Sequence, residues 1–241
     1  WKQIKHYKAA TDAKLGAHFT KLIREITMAA KLGGGDPAGN PRLRTAIDTA
    51  KAASMPKENI ERAVKKGTGE LAGVEYQAVT YEGYGPGGVA IMIFTVTDNP
   101  TRTVADVRHK LSHGGGNLGA ANSVSFMFDR KGQIYVDATR YDEDAMMEKA
   151  LDAGAEDFAR EDEQYVITTA PNSLHEVQGA LESGGVEVTE AEVSYLPKTT
   201  VQVSGSTATS LLKLLELLED LDDVQRVVAN FEMDADEMAT A

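Results

Sequence analysis

The chain has 241 residues, 42% of them hydrophobic, which is enough apolar matter for two or three domains with cores of their own. It contains no cysteine, which excludes disulfides, thiol catalysis and cysteine zinc sites. The formal net charge of −12 argues against a polyanion partner for the chain as a whole, but its distribution is uneven. Trp1 to Val74 carries 14 Lys+Arg against 7 Asp+Glu, and Glu75 to Gly132 carries 5 of each. Gln133 to Pro197 has 3 against 16, and Lys198 to Ala241 has 3 against 9. One basic end joined to an acidic remainder points to a polyanion for that end only.

Trp1 to Gly16 interleaves Lys2, Lys5, Lys8 and Lys14 with Trp1, His6 and Tyr7. Its apolar periodicity is weak, so it reads as a basic arm whose cations follow a phosphate backbone while its rings stack on bases. The competing account is a solvated terminus. The first residues are polar and basic with no apolar h-region, and no run approaches 18 apolar residues, so a cytoplasmic chain without a membrane span is expected.

Phe19, Leu22, Ile23, Ile26 and Ala30 form one stripe of a helix over Ala17 to Leu32, with Lys21 and Arg24 off it. Gly33-Gly34-Gly35-Asp36-Pro37 breaks the chain. Asn40 and Pro41 then suit the start of a second helix, striped by Leu43, Ala46, Ile47 and Ala50. Met55-Pro56 starts a third, striped by Ile60, Ala63 and Val64, which Gly67 is placed to end. Off these stripes lie Arg42, Arg44, Lys57, Arg62, Lys65 and Lys66. Residues 1–74 therefore read as a basic three-helix domain that holds nucleic acid. Helix-surface ion pairs Glu58–Arg62 and Glu61–Lys65 offer a blander use for some of this charge, at about 0.2–0.5 kcal/mol each.

From Tyr76 the period changes. Val79 to Tyr84 and Val89 to Val96 are strand-like around the turn Gly85-Pro86-Gly87-Gly88. A helix runs from Thr101 to about His113, GGGNLG (Gly114 to Gly119) is a loop, and Ser123 to Asp129 is a strand. After Lys131-Gly132 the acidic stretch has the order strand (Ile134 to Val136), helix (Asp142 to Asp152), strands (Ala155 to Phe158, Tyr165 to Thr169), helix (Asn172 to Ser183) and strand (Val186 to Tyr195). That is the βαββαβ order of a ferredoxin-like domain. A strand at Thr200 to Val203, a leucine-rich helix from Ser206 to Leu221 and a strand at Val224 to Phe231 complete a second such order begun at Val89. The expected class is α+β. It comprises the helical domain, a discontinuous ferredoxin-like middle domain (75–132 and 198–241) and an acidic ferredoxin-like domain inserted in it (133–197).

No catalytic constellation stands out, so a non-enzymatic chain is expected, with no cofactor and no metal. His109 and His113 have metal-ligand spacing, but HKLSH lacks the glutamate of a HExxH site and no third ligand is evident. GGGNLG could hold a phosphate through backbone N–H groups, yet it has neither a Walker lysine nor the strand–loop–helix context, and a turn explains it more simply.

Several stretches together resemble the YebC/PmpR family, also known through the mitochondrial translational activator of cytochrome c oxidase subunit I. They are WKQIKHYKAATDAK (Trp1 to Lys14), FTKLIREITMAAKLGGGDP (Phe19 to Pro37), NPRLRTAIDTAK (Asn40 to Lys51) and MPKENIERAVKKGTGE (Met55 to Glu70). YEGYGPGGVA (Tyr81 to Ala90), RTVADVRHKLSHGGGNLG (Arg102 to Gly119) and FDRKG (Phe128 to Gly132) continue the match. The resemblance implies three domains around a cavity, a few further residues before Trp1, and a role as a DNA-binding transcriptional regulator or as a translation factor acting on ribosomal RNA at the ribosome. A protein-interaction scaffold using the acidic domain is the reading from a different class. The residues expected to contact nucleic acid are Lys2, Lys5, Lys8, Lys14, Lys21, Arg24, Arg42, Arg44, Lys57, Arg62, Lys65 and Lys66.

Overall fold

The computed structural model describes residues 12–234, with side chains from residue 16 onward. The expectations for Lys2, Lys5 and Lys8 lie outside the described residues, as does the side chain of Lys14. The fold is mixed α+β and divides into two compact units. One joins the described residues up to Met127 with those from Thr199 onward; the other is Phe128–Lys198.

The first unit opens with three helices, α1 (Asp12–Gly33), α2 (Pro41–Ala52) and α3 (Lys57–Thr68). Their apolar stripes meet in one cluster built on Leu22, Ile26, Leu43, Ala46, Ile60 and Ala63. Asn40 caps α2 as expected, its Oδ1 accepting from the Leu43 N–H at 3.1 Å. It is also buried, and its amide donates to Ala29 O and Gly34 O, each at 2.8 Å, so one side chain ties the glycine turn to both flanking helices. The expected stop at Gly67 falls instead at Gly69, whose φ of 83° is the left-handed geometry of a helix end. Gly67 lies inside α3 for a packing reason: a Cβ there would stand 2.4 Å from Thr27 O and 2.7 Å from Ala30 Cβ.

The middle of this unit is a four-stranded antiparallel sheet. β1 (Gln77–Tyr84) and β2 (Ala90–Thr97) form a hairpin, α4 (Pro100–His113) follows, and β3 (Asn117–Leu118) pairs with β1. GGGNLG is thus partly a strand, and Gly116 passes so close to β1 that a Cβ would lie 2.2 Å from Tyr84 O.

The expected strand over Ser123 to Asp129 forms only at its end, where Phe128 and Asp129 begin the next strand. The buried carboxylate of Glu82 on β1 accepts from the backbone N–H groups of Asn122 (2.8 Å), Val124 (2.7 Å) and Ser125 (2.8 Å). Donors taken by a side chain are lost to a ladder, and the segment becomes a bend with a short 3₁₀ turn over Ser125–Met127. Burial works to raise the pKa of Glu82, but these three backbone donors and the Ser125 hydroxyl outweigh it and hold the carboxyl below its ordinary range. Glu82→Gln puts an amide N–H₂ where a carboxylate oxygen accepted, leaving buried donors facing one another. We expect a loss of about 1–3 kcal/mol, seen as faster amide exchange at Asn122, Val124 and Ser125 with the β1–β2 amides less affected.

The second unit is β4 (Phe128–Asp137), α5 (Glu143–Asp152), β5 (Asp157–Glu161), β6 (Gln164–Thr169), α6 (Leu174–Ser183) and β7 (Val188–Pro197). Its sheet order, β5-β6-β4-β7, is antiparallel throughout and is the ferredoxin-like arrangement. Lys131-Gly132 is no break. Gly132 is paired on both sides, to Thr169 and Val193, and a Cβ there would lie 2.2 Å from Thr169 Oγ1. The unit therefore begins at Phe128 rather than Gln133.

The chain then returns through β8 (Val201–Gln202), α7 (Gly205–Glu219), β9 (Val224–Ala229) and β10 (Phe231–Glu232). β9 joins the first sheet beside β2, in the order β3-β1-β2-β9. β8 stays out of that sheet and pairs in parallel with β10. The middle domain thus departs from the strand succession expected from Val89 onward. The leucines of α7 and Val107 and Leu111 of α4 cover the sheet in one buried cluster.

Candidate nucleic-acid interface

The cations of the helical module fall into two groups by where their heads go. Lys21 and Arg24, on α1, are turned onto the middle domain. Lys21 Nζ donates to Glu219 O. Arg24 pairs with the Asp223 carboxylate and donates to Asp222 O at 2.8 Å and Val96 O at 3.3 Å. With its side chain only 11% exposed, Arg24 is unavailable to a polyanion. Arg42 holds Glu25 with two bonds, Nε at 2.7 Å and Nη2 at 3.1 Å. Arg44 spans Pro37 O (3.1 Å) and Ala38 O (3.2 Å), bracing the glycine turn that precedes α2.

The second group lies on α3. Arg62, Lys65 and Lys66 are exposed and make no ion pair among the described residues. They stand at i, i+3 and i+4, which places them on one side of the helix. The expected Glu58–Arg62 and Glu61–Lys65 pairs do not form; Glu61 instead reaches back to Lys57 at 3.5 Å. Lys57, 88% exposed, is held only loosely. Lys65 and Lys66 occupy the last turn of α3, where cations also complement the unpaired carbonyls of a helix end. That effect accounts for two charges at most and leaves Arg62 unexplained.

Arg24 ends in a polar cluster that sequence reasoning missed. Asp223, its side chain 8% exposed, receives Arg24, Arg102 Nη2 (3.1 and 3.0 Å), Thr103 Oγ1 (2.7 Å) and Thr97 Oγ1 (3.3 Å). Burial works to raise the Asp223 pKa, but bonds from Thr103, Arg102 and Arg24, with the charge of Arg24, outweigh it and leave it lowered. No motif marks this residue: Asp220, Asp222 and Asp223 look alike in sequence, and only the packing of α1 selects one.

Among the described residues no group of three His, Cys, Asp or Glu side chains could hold a metal, and His109 and His113 pack ring to ring at 6.1 Å between centroids. None of the described helices is long and apolar enough to cross a membrane.

Comparison with known proteins places this arrangement. Residues 1–70 match the model of the TACO1/YebC protein N-terminal domain, and residues 76–231 match that of the TACO1/YebC second and third domain. The chain belongs to the TACO1/YebC family. A protein of Gemmatimonas aurantiaca named a probable transcriptional regulatory protein is 66% identical over 241 residues, covering 100% of this chain and 98% of that one. One of Trichlorobacter lovleyi with the same name is 56% identical over 238 residues, covering 99% and 96%. The crystal structure of a conserved hypothetical protein from Aquifex aeolicus superposes with a TM-score of 0.87 at 52% identity, covering 97% of each chain. The TACO1/YebC assignment thus extends over both units and over the basic module that carries α3.

Proposed function

We propose that this TACO1/YebC chain is a non-enzymatic, cytoplasmic regulator whose helical module binds nucleic acid through Arg62, Lys65 and Lys66 of α3. Lys57 and the lysines of the basic arm add to that contact. The single observation that carries the reading is that these three α3 cations share one exposed side and have no acid partner among the described residues. Arg42 and Arg44 serve mainly to hold the glycine turn and α1 in place, and Lys21 and Arg24 to hold α1 on the middle domain. The names of the relatives support a transcriptional role and hence duplex DNA as the target.

The test is in-cell ultraviolet crosslinking followed by sequencing of bound DNA and bound RNA. Discrete DNA peaks upstream of genes are the expected result. Enrichment of ribosomal RNA without such peaks overturns the transcriptional assignment, and enrichment of neither overturns nucleic-acid binding itself.

A further inference from the structure

The first unit contains a cavity of roughly 430 Å³ away from α3. Its walls are the turn at Pro86, the end of α4 at His113, Gly114 and Gly115, and one side of α7. Ser206, Thr207, Ser210 and Lys213 of α7 line it together with His113. The three hydroxyls and the Lys213 ammonium have no hydrogen-bond or ion-pair partner among the described residues, and Lys213 is exposed. Lys213 is also one of only three cations in the acidic segment from Lys198 onward, so a solvated ion pair was available to it on charge grounds, and none is made among the described residues.

The shape is set by close backbone approach. A Cβ on Gly114 would lie 2.6 Å from Leu214 Cδ1, and one on Gly87 would lie 3.1 Å from Thr207 Cγ2. The glycines of the two loops therefore let α7 come near enough to form one wall of an open cleft. Pro86, Leu214 and Leu217 complete the lining with apolar surface, the two leucines on the same side of α7 as its polar groups. Clefts of this size take small molecules, with a few polar groups fixing a ligand beside apolar surface.

We propose that this cavity binds a phosphate monoester, the phosphate held by Lys213 and the hydroxyls of Ser206, Thr207 and Ser210, with the esterified group against Leu214 and Leu217. A lysine with hydroxyl donors and no carboxylate in the lining selects a compact anion. The site lies apart from α3, so the proposal stands or falls separately from nucleic-acid binding.

The test is amide chemical-shift titration of the full chain with inorganic phosphate, adenosine 5′-monophosphate and adenosine, with sodium chloride at matched ionic strength as control. Phosphate and the nucleotide are expected to move the amides of Gly114, Gly115, Ser206 and Thr207 saturably, while adenosine and chloride do not. Tighter binding of the nucleotide than of phosphate supports the ester; equal affinity overturns it in favour of free phosphate at the same anion site. Lys213→Ala is expected to weaken nucleotide binding about tenfold, equivalent to about 1.4 kcal/mol, and to leave nucleic-acid affinity unchanged. Absence of saturable shifts, equal shifts with adenosine, or unchanged nucleotide affinity in Lys213→Ala overturns the proposal. A Lys213→Ala chain that loses nucleic-acid affinity, in a protein whose parent shows no nucleotide binding, also overturns it and assigns the cavity to a backbone phosphate.

Discussion

Replacing Asp223 by alanine is expected to destabilise the first unit by about 3–5 kcal/mol, because it strands a buried guanidinium. Asp223 is 8% exposed at its side chain and Arg24 11%, so neither charge is well reached by water. Among the described residues, removing the carboxylate leaves Arg24 with only the carbonyls of Val96 and Asp222 as acceptors. It also leaves the Thr103 hydroxyl without its 2.7 Å acceptor, although Asn99 O at 3.0 Å remains in reach. Arg102 is less affected, since it is nearly half exposed and keeps Asp98 at 2.8 Å. The measurement is urea unfolding followed by probes in each unit, because two units need not unfold in one step. Combining Asp223→Ala with Arg24→Met should recover part of the loss, because no uncompensated cation then remains buried. Equal loss in the single and double variants would show that packing, not charge, holds α1 to the sheet.

Two buried carboxylates make a pH prediction. Asp223 and Glu82 both have folded-state pKa values below their ordinary ones. Each therefore contributes stability that is present above the unfolded-state pKa and is lost as pH falls through the folded-state pKa. Thermal stability is expected to decline on acidification below the ordinary carboxylate range. Asp223→Ala should flatten that decline.

Changing Arg62, Lys65 and Lys66 together to alanine is expected to weaken nucleic-acid binding on the order of a hundredfold at physiological salt. Each cation withdrawn from a phosphate makes the slope of log K against log salt less negative by about 0.9 for duplex DNA and about 0.7 for a single strand. Three such cations change the slope by about 2.7 or about 2, so the size of the change also reports which form is bound. None of the three makes an ion pair among the described residues, so fold stability should move little. Arg24→Met is the contrasting variant, expected to cost stability and leave the slope unchanged. A triple variant with the parental slope would remove α3 from the interface.

Much of the fold is legible in the residues because it is local. The stripes of α1, α2 and α3 follow from apolar spacing, and the Asn40 cap and Pro41 follow from chemistry confined to one turn. The βαββαβ order of the second unit follows from alternating periods, and the concentration of cations before Val74 is a matter of counting. What fails is wherever a distant group competes with local preference. Ser123 to Asp129 has a strand-like composition, but Glu82, some 40 residues earlier, takes its N–H groups. Gly67 looks like a helix stop, but its missing Cβ is used by the approach of α1.

The candidate interface divides in the same way. That the basic end carries seven cations in excess of its acids, and that α3 is amphipathic, follows from the order of the residues. Which of those cations remain free is settled by the docking of the helices. A charge reads the same in sequence whether its head meets solvent or a buried carboxylate, and α1 alone cannot show that its Arg24 will meet Asp223, 199 residues further on. Partner choice over that distance is set by packing of whole elements, which is why Arg62, Lys65 and Lys66 stand apart from Arg24 only once the helices are docked.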